Sequence, residues 1–159
     1  MVDQSQINIR AIEAQDLPSV MEVERLCYPI PWSESVFEES VSGNNECWLV
    51  EYDGLLSGHT VVSNVLDEVH LLNLCIAPEF NRKGLGRVLL RYLISKAIER
   101  NASVFFLEVR VSNRAAIDLY FSEGFNEVGL RPNYYPREEG AGREDALLMT
   151  LELSVDQYI

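Results

Sequence analysis

The sequence predicts a single α/β domain, in which a mixed, mostly antiparallel sheet of about seven strands carries about four helices on its two faces. Three observations indicate this class. Strand and helix patterns follow one another as strand, two helices, three strands, helix, strand, helix and two strands. The early strands are joined by hairpin-length turns, whereas a later strand-helix-strand crossover requires a central parallel pair. The length of 159 residues suits one core, so residues 1–159 are expected to form one domain.

The first three elements are a strand and two helices. The segment "INIRAI" (7–12) alternates between apolar and polar residues and predicts a strand. Asp16 precedes a Leu-Pro pair, which is typical of a helix cap with proline in the first turn, and this helix is expected to continue to about Tyr28. Ser35, with a glutamate three residues later, predicts the capping box of a short helix that ends near Gly43.

The middle of the chain predicts three strands and a long helix. The segments "CWLVEY" and "LLSGHTVVSNVL" flank Asp53-Gly54, which is a strong hairpin signal. The strand "EVHLLNLCIA" follows and stops at Pro78. From Gly84 onward, apolar residues recur with helical spacing on a wide face, which predicts a well-buried helix.

The last part of the chain predicts a strand, a helix and two more strands. The run "VFFLEVRV" is typical of an interior strand, and Asn113 is placed to cap the helix "RAAIDLYFSE", which should end at Gly124. The segments "FNEVGLRPNYYP" and "REDALLMTLEL" predict two final strands joined by a glycine-rich loop around "EEGAG".

Charge and hydropathy exclude several functional classes. A net charge of −12 opposes binding to free nucleic acid, which depends on cations that neutralise phosphates. No apolar run approaches the roughly 20 residues of a membrane helix, and the N-terminus lacks a signal-peptide pattern, so a cytoplasmic protein without membrane association is expected. Basic residues cluster from Arg82 to Arg100, which favours an anion there and a basic partner elsewhere; acidity that serves solubility alone explains the charge equally well.

The cysteines and histidines do not form a metal-binding pattern. Cys27, Cys47 and Cys75 are far apart and odd in number, so they predict small buried apolar residues rather than disulfides or a zinc site. His59 and His70 are isolated in the sequence and predict core or surface histidines. No metal ion is expected.

The segment "NRKGLGR" (81–87) predicts an anion-binding turn at the start of the long helix. Free backbone N–H groups and the positive end of the helix dipole point outward there, and glycine lets phosphate oxygens approach the backbone. No Gly-Lys-Ser/Thr triplet is present, and a leucine occupies the place of the third glycine of the dinucleotide fingerprint. A phosphate or pyrophosphate is the natural ligand, although a structural turn with exposed cations would explain the segment alone.

Three segments together, "NLCIAPEFNRKGLGRVLL", "LEVRVSNRAAIDLYFSEGF" and "NYYP" with "GREDALLM", resemble the GNAT superfamily of acetyl-CoA-dependent N-acetyltransferases. With "PWSESVF", they are most similar to the RimI branch, which acetylates the N-terminal alanine of a small-subunit ribosomal protein. The resemblance implies the GNAT fold, acetyl-CoA as co-substrate and a ribosomal protein N-terminus as partner. Asn81 departs from the usual Gln or Arg, which is expected to modify affinity for the cofactor rather than abolish it.

The same resemblance implies a set of cofactor-binding residues. The backbone of Leu74, Cys75 and Ile76 would bond the pantetheine arm, the Ile76 N–H would meet the acetyl oxygen, and Asn113 would contact the cofactor farther along. Such a strand must separate from its neighbour to admit the arm. The residues implied to hold the pyrophosphate are Arg82, Lys83, Gly84, Leu85, Gly86 and Arg87.

Acetyl transfer to an amine requires a base, because the amine is mostly protonated at neutral pH. Glu108 in "FFLEVRV" is the candidate, since a charge in an apolar strand is costly without a task or a partner. The alternative is that Glu108 pairs with Arg110 or faces solvent. Tyr120 matches the superfamily's general acid, which protonates the departing thiolate, and its helical spacing equally suits a core aromatic.

The acceptor side is predicted from aromatic residues. Trp32, Tyr134 and Tyr135 would line a groove for a peptide N-terminus, and the alternative for each is a residue that covers the sheet. Two other functions stay open at the sequence level. The chain could acetylate a lysine, a polyamine or another small amine, or it could be a non-catalytic acyl-CoA-binding regulator.

Overall fold

The computed structural model describes residues 3–137 and 142–153. The predicted glycine-rich loop around "EEGAG" falls largely outside these residues. The described strands are β1 (Ile7–Ala11), β2 (Glu46–Tyr52), β3 (Leu55–Val65), β4 (Glu68–Ile76), β5 (Val104–Arg110), β6 (Asn126–Pro136) and β7 (Arg143–Glu152). The α-helices are α1 (Leu17–Cys27), α2 (Glu34–Ser42), α3 (Leu85–Glu99) and α4 (Arg114–Ser122).

The seven strands form one mixed sheet in the order β1-β2-β3-β4-β5-β7-β6. The pairs β1–β2, β2–β3, β5–β7 and β6–β7 are antiparallel, and the pair β4–β5 is parallel. The connection between β4 and β5 contains α3, as a parallel crossover requires. The predicted fold class, with its central parallel pair, is therefore confirmed.

Helix α1 begins after Asp16, but the side chain of this residue does not cap the helix. Its carboxylate accepts two hydrogen bonds of 2.8 Å from the Arg10 guanidinium and one from the N–H of Glu13. The capping prediction for α2 is wrong by two residues: Ser33, not Ser35, has the extended backbone of a cap, and its Oγ accepts the N–H of Val36. The earlier serine is the cap because the helix already begins at Glu34.

Two turns show the backbone geometry that their residues favour. Asp53 and Gly54 both have positive φ angles, 52° and 79°, as the tight hairpin between β2 and β3 requires. Gly124 follows α4 with φ 98°, which confirms the predicted glycine stop. Asn113 caps α4 as predicted, since its Oδ1 accepts the N–H of Ala116 at 3.3 Å.

The described chain divides into two compact units. The first comprises the described residues up to Asn64 together with Leu72–Leu93, and the second comprises Val65–Leu71 and the described residues from Ile94. In the first unit, one apolar cluster includes the fully buried Phe37 and Leu49. A second cluster packs the start of α3 against α1 and β4, and its buried members are Val23, Cys75, Ala77, Phe80 and Leu85.

The core of the second unit is built on aromatic residues. Phe105 and Phe125 are buried and meet edge to face with ring centroids 5.6 Å apart. Tyr120 packs against Phe125 at 5.7 Å. Along β5, buried residues alternate with half-buried ones, so Leu107 and Val109 enter the core while Glu108 lies on the other face.

Among the described helices, none has the length and hydropathy needed to cross a membrane.

Candidate active site

The C-terminal half of β4 carries the residues predicted to bind the pantetheine arm. The Tyr28 hydroxyl donates a hydrogen bond of 2.7 Å to the Leu74 carbonyl, and the Cys27 thiol lies 3.3 Å from the Ile76 carbonyl. Both side chains come from the end of α1. The end of this helix therefore fixes the backbone of β4 next to the residues that the sequence predicts to bind the cofactor.

The parallel ladder between β4 and β5 is short. Within the described residues it runs from the Glu68–Val104 pair to the Leu71–Leu107 pair, whereas β4 continues to Ile76 and β5 to Arg110. Backbone groups of β4 beyond Leu71 therefore lie past the end of this ladder. Such groups need other partners, which a ligand can supply.

Gly58 of β3 lets β4 approach closely. A Cβ at this position would lie 2.5 Å from the carbonyl oxygen of Cys75 and 3.2 Å from the Cα of Ile76. These contacts are with backbone, so a side chain larger than hydrogen would displace β4 at the two residues. The predicted cofactor strand thus depends on this glycine.

The "NRKGLGR" segment forms the turn that starts α3. Gly84 has φ +76°, and its carbonyl accepts the N–H of Val88 at 3.1 Å, so the first helical hydrogen bond closes on it. A Cβ on Gly84 would meet nothing within 4 Å, which means that this face of the turn is open. The side chain of Leu85 is buried in the core, so only its backbone is available to a ligand. The open face at the start of α3 is compatible with the anion site that the sequence predicts, which stays a prediction.

Cations flank this turn. Arg82 is exposed and adopts φ +67°, and the Lys83 ammonium lies 5.0 Å from the centroid of the Tyr52 ring. Both residues precede the open face at Gly84 in the chain. Their charges add to the positive end of the helix dipole.

In the second unit, Glu108 is partly exposed and has a cationic partner. Its Oε1 lies 3.3 Å from a guanidinium nitrogen of Arg131, and 30% of its side-chain surface is accessible. Arg110, which the sequence offered as the alternative partner, instead bonds Glu144 at 3.0 Å and the Pro136 carbonyl at 2.9 Å. Glu108 is therefore neither paired with Arg110 nor free in solvent.

Tyr135 on β6 interacts electrostatically with this carboxylate and with Tyr120 on α4. Burial raises the pKa of Tyr135 to about 12, and the negative charge of Glu108 acts in the same direction. Burial also raises the pKa of Tyr120, with a smaller contribution from Tyr135. Tyr135 is thus within electrostatic range of both Glu108 and Tyr120. The Tyr120 hydroxyl stays protonated at neutral pH and can donate a proton.

A stack of rings and guanidinium groups continues along β6. Arg131 lies 5.1 Å from the Tyr134 ring and Arg110 lies 4.5 Å from the Tyr135 ring, while the two rings meet edge to face at 4.9 Å. Tyr134 is 41% exposed. Tyr134 therefore adjoins Glu108 through Arg131, whereas Tyr135 contacts Arg110 and is affected by the charge of Glu108 directly.

Trp32 and Asn113 have structural contacts in addition to any predicted role. The Trp32 ring packs on Phe37 at 5.1 Å, and its backbone N–H donates to Glu24 at 3.0 Å. Asn113 is occupied as the cap of α4. These contacts explain the positions of both side chains without a ligand.

Sequence reasoning did not identify Arg131. The strand β7 lies between β5 and β6, so residues of β5 and β6 become neighbours only across it. The only sequence signal was a charged residue in each of the two strands, Glu108 in "LEVR" and Arg131 in "LRPN", but matching them requires the strand order.

Comparison with known proteins gives the family. The profile of the acetyltransferase (GNAT) family matches residues 17–125, which includes β4, the turn at Gly84, Glu108 and Tyr120. This chain belongs to the GNAT family of acetyltransferases. It is accordingly an N-acetyltransferase, as the sequence motifs predicted.

Relatives within the GNAT family are similar over nearly their whole length. The [ribosomal protein bS18]-alanine N-acetyltransferase of Escherichia coli K12 is 40% identical over 147 residues, which cover 92% of this chain and 98% of the relative. A protein of Bacillus subtilis described as a putative enzyme of the same name is 32% identical over 148 residues, covering 92% and 95%.

A solved structure supports the same grouping. The crystal structure of the ribosomal-protein-S18-alanine N-acetyltransferase from Escherichia coli superposes with a TM-score of 0.87 at 39% identity. The match covers 94% of this chain and 95% of that one. The GNAT fold predicted from the motifs is therefore confirmed.

Proposed function

We propose that this enzyme transfers the acetyl group of acetyl-CoA to the α-amino group of an N-terminal alanine, on a small-subunit ribosomal protein that corresponds to bS18. The observation that carries the proposal is the 40% identity to the Escherichia coli enzyme of that name over 92% of the chain. An alignment of 147 residues in a chain of 159 must extend past Phe125 into β6. It therefore includes Tyr134 and Tyr135, which lie outside the family profile.

The cofactor role is assigned to the turn at Gly84 and to β4. The backbone N–H groups from Arg82 to Arg87 would hold the pyrophosphate, supported by the open turn and the dipole of α3. The backbone of Leu74–Ile76 would bond the pantetheine arm, which the short ladder with β5 supports. Asn113 would contact the cofactor farther along, by groups other than its capping oxygen.

The chemical step needs two proton transfers. The neutral amine attacks the thioester carbonyl carbon, and its surplus proton passes to the Glu108 carboxylate directly or through water. Collapse of the tetrahedral intermediate breaks the C–S bond, and the Tyr120 hydroxyl gives its proton to the departing thiolate. The Ile76 N–H would stabilise the charge on the acetyl oxygen. The partial exposure of Glu108 and the raised pKa of Tyr120 suit these roles.

An α-amine needs less help from a catalytic base than a lysine side chain does. With ordinary pKa values of roughly 8 for an α-amine and 10.4 for lysine, about a tenth of the former but under a thousandth of the latter is neutral at pH 7. A carboxylate such as Glu108, which is not fully buried, is a sufficient base for the α-amine. Trp32, Tyr134 and Tyr135 would contact the acceptor peptide.

The test is a comparison of three acceptors with the purified enzyme and acetyl-CoA. The first is a peptide that begins with alanine and contains a lysine, the second is the same peptide with its N-terminus blocked, and the third is spermidine. We expect turnover only on the first peptide, with the acetyl group on the α-amine by mass spectrometry. Turnover on the blocked peptide or on spermidine, but not on the free α-amine, would replace the proposal with a side-chain or small-amine acetyltransferase. Binding of acetyl-CoA without turnover of any acceptor would indicate a regulator.

A further inference from the structure

A buried polar cluster lies in the first unit, where α1 meets β3 and β4. It consists of Glu24 on α1, His59 on β3, and Asn73 and Cys75 on β4, and is called here the Glu24 cluster. Glu24 and His59 have no exposed surface, and Asn73 and Cys75 are 5% and 6% exposed. The proposed acetyl transfer uses the backbone of Cys75 but none of these four side chains, so a buried carboxylate, imidazole and thiol have no assigned task.

Three donor atoms of the Glu24 cluster converge. The His59 Nε2 lies 2.9 Å from Glu24 Oε1 and 3.3 Å from the Cys75 sulfur. One ligand atom from each of the three residues lies within 4.8 Å of the others. Ligand atoms around a tetrahedral zinc ion are about 3.3 to 3.6 Å apart, given the usual bond lengths. Small side-chain rotations would therefore place all three at bonding distance from one ion.

Asn73 supplies an independent observation. Its Nδ2 donates to Glu24 Oε1 at 3.0 Å, which fixes the orientation of the amide. Its Oδ1 is buried and has no hydrogen-bond partner among the described residues. Leaving a buried oxygen unsatisfied is unfavourable, so it calls for a donor or a cation that the described residues do not supply. Glu24 Oε2 already accepts a hydrogen bond from the Trp32 N–H, so Oε1 is the carboxylate oxygen offered to a cation.

We propose that Glu24, His59 and Cys75 form a binding site for a thiophilic divalent cation of the Zn²⁺ class, with the Asn73 amide oxygen as the fourth ligand. Carboxylate, imidazole and thiolate are the ligand types that zinc takes in proteins. Burial holds Cys75 in the thiol form by raising its pKa. A bound cation reverses this preference, because the sulfur then coordinates as thiolate and its proton leaves to solvent.

Occupation of the site would connect three elements of the first unit. Glu24 belongs to α1, His59 to β3 and Cys75 to β4, and the backbone of β4 beside Cys75 is the proposed cofactor strand. A cation that binds the folded chain and not the unfolded chain stabilises it to an extent that grows with its concentration and affinity. The site is complete only when the three elements are assembled, so the metal is expected to enter during folding.

The test measures zinc retention by the full chain. The protein and its variants are unfolded, refolded with equimolar Zn²⁺, desalted and analysed for metal by mass spectrometry. Cys47→Ala is the matched control, because Cys47 is a second buried thiol of the same unit that lies outside the Glu24 cluster. We expect one zinc per chain for the wild type and for Cys47→Ala. Cys75→Ala and His59→Ala should bind at least about tenfold more weakly in competition with a chromophoric chelator.

Two results would overturn the proposal: a wild type that retains no zinc, or a Cys75→Ala variant that retains as much as the wild type. A second measurement needs no variant. The wild type refolded with Co²⁺ should show a thiolate-to-cobalt charge-transfer band together with the visible spectrum of tetrahedral cobalt. A spectrum of six-coordinate cobalt without the sulfur band contradicts the proposal. Neither measurement involves acetyl transfer, so the outcome is independent of the proposed function.

Discussion

The contact between Glu108 and Arg131 sets how strongly the side chain of the predicted base is held in place. The two groups are 3.3 Å apart, and 54% of the Arg131 side chain is exposed. An ion pair in that environment contributes about 0–1 kcal/mol, because water screens it and the long side chain loses entropy. Arg131 thus orients Glu108 through a weak, solvent-screened contact rather than a strong buried ion pair.

Replacement of Glu108 by Gln tests its role as base. The amide keeps the shape of the carboxylate but cannot accept the proton, so kcat should fall by about 10²-fold or more while acetyl-CoA affinity stays unchanged. Steady-state kinetics and calorimetric titration with acetyl-CoA measure the two quantities. Glu127→Gln is the control, since Glu127 is an exposed carboxylate on β6, and it should retain the wild-type rate. A Glu108→Gln enzyme with normal kcat would exclude Glu108 as the base.

Replacement of Tyr120 by Phe tests the proton donor. The ring and its packing on Phe125 are kept and only the hydroxyl is lost, so kcat should fall by about 10- to 100-fold. Because burial raises the pKa of Tyr120 above the usual 10.0, the donor stays protonated and the wild-type kcat should not decline on its account up to that pH. Tyr92→Phe serves as the control for loss of a tyrosine hydroxyl. A pH–rate profile that loses activity well below pH 10 with the ionisation of Tyr120 would contradict this assignment.

At the scale of elements, the N-terminus of α3 depends on Gly84. Gly84→Ala places a side chain at φ +76°, which costs about 1–2 kcal/mol and moves the amides of the turn. The expected result is about a tenfold loss of acetyl-CoA affinity, measured by calorimetry. Gly54→Ala is a matched control, because Gly54 has φ +79° and an equally open surrounding but lies in the β2–β3 hairpin. Equal acetyl-CoA affinity of the two variants would show that the turn does not hold the cofactor.

The junction of β1 and α1 predicts a pH-dependent stability. The pKa of Asp16 lies below its ordinary value of 3.8, mainly because Arg10 donates hydrogen bonds to the carboxylate. The ionised carboxylate therefore stabilises the folded state above pH 3.8, and this stabilisation is lost as the pH falls through the lowered pKa. Asp16→Asn should lower the free energy of unfolding by about 1 kcal/mol at pH 7. The difference should shrink as the pH falls through the lowered pKa, because the wild-type carboxylate is then protonated. Denaturant unfolding at pH 7 and pH 3 measures this, with Asp118→Asn on α4 as control. A difference that does not depend on pH would contradict it.

The elements could be predicted from the sequence because their signals are local. Alternation predicted β1 and a short apolar run predicted β5. Asn113 marked the start of α4, and the Asp53-Gly54 pair marked the hairpin between β2 and β3. The error at Ser35 arose because two serines near the same helix start satisfy the same pattern, and only the backbone geometry selects Ser33. Partners from distant strands could not be predicted. The Glu108–Arg131 contact and the Glu24 cluster each join segments far apart in sequence, and their assembly depends on strand order and helix placement.

At the scale of the whole molecule, similarity to the bS18-alanine N-acetyltransferases extends over 92% of the chain. The net charge of −12 is compatible with a cationic protein as acceptor and unfavourable for direct binding to rRNA. The identity of the acceptor depends on which protein N-terminus the whole enzyme selects in the cell. No single residue of the proposed site specifies it.

Mass spectrometry of intact ribosomal proteins, from cells with and without this enzyme, tests whether it acetylates an N-terminal alanine in the cell. We predict that one small-subunit protein carries an acetyl group on its N-terminal alanine in cells with the enzyme and has a free amine in cells without it. Restoring the wild-type gene should return the acetyl group, whereas restoring the Glu108→Gln form should not. An unchanged set of N-terminal acetyl groups on the small-subunit proteins in cells without the enzyme would contradict the proposed acetylation of an N-terminal alanine.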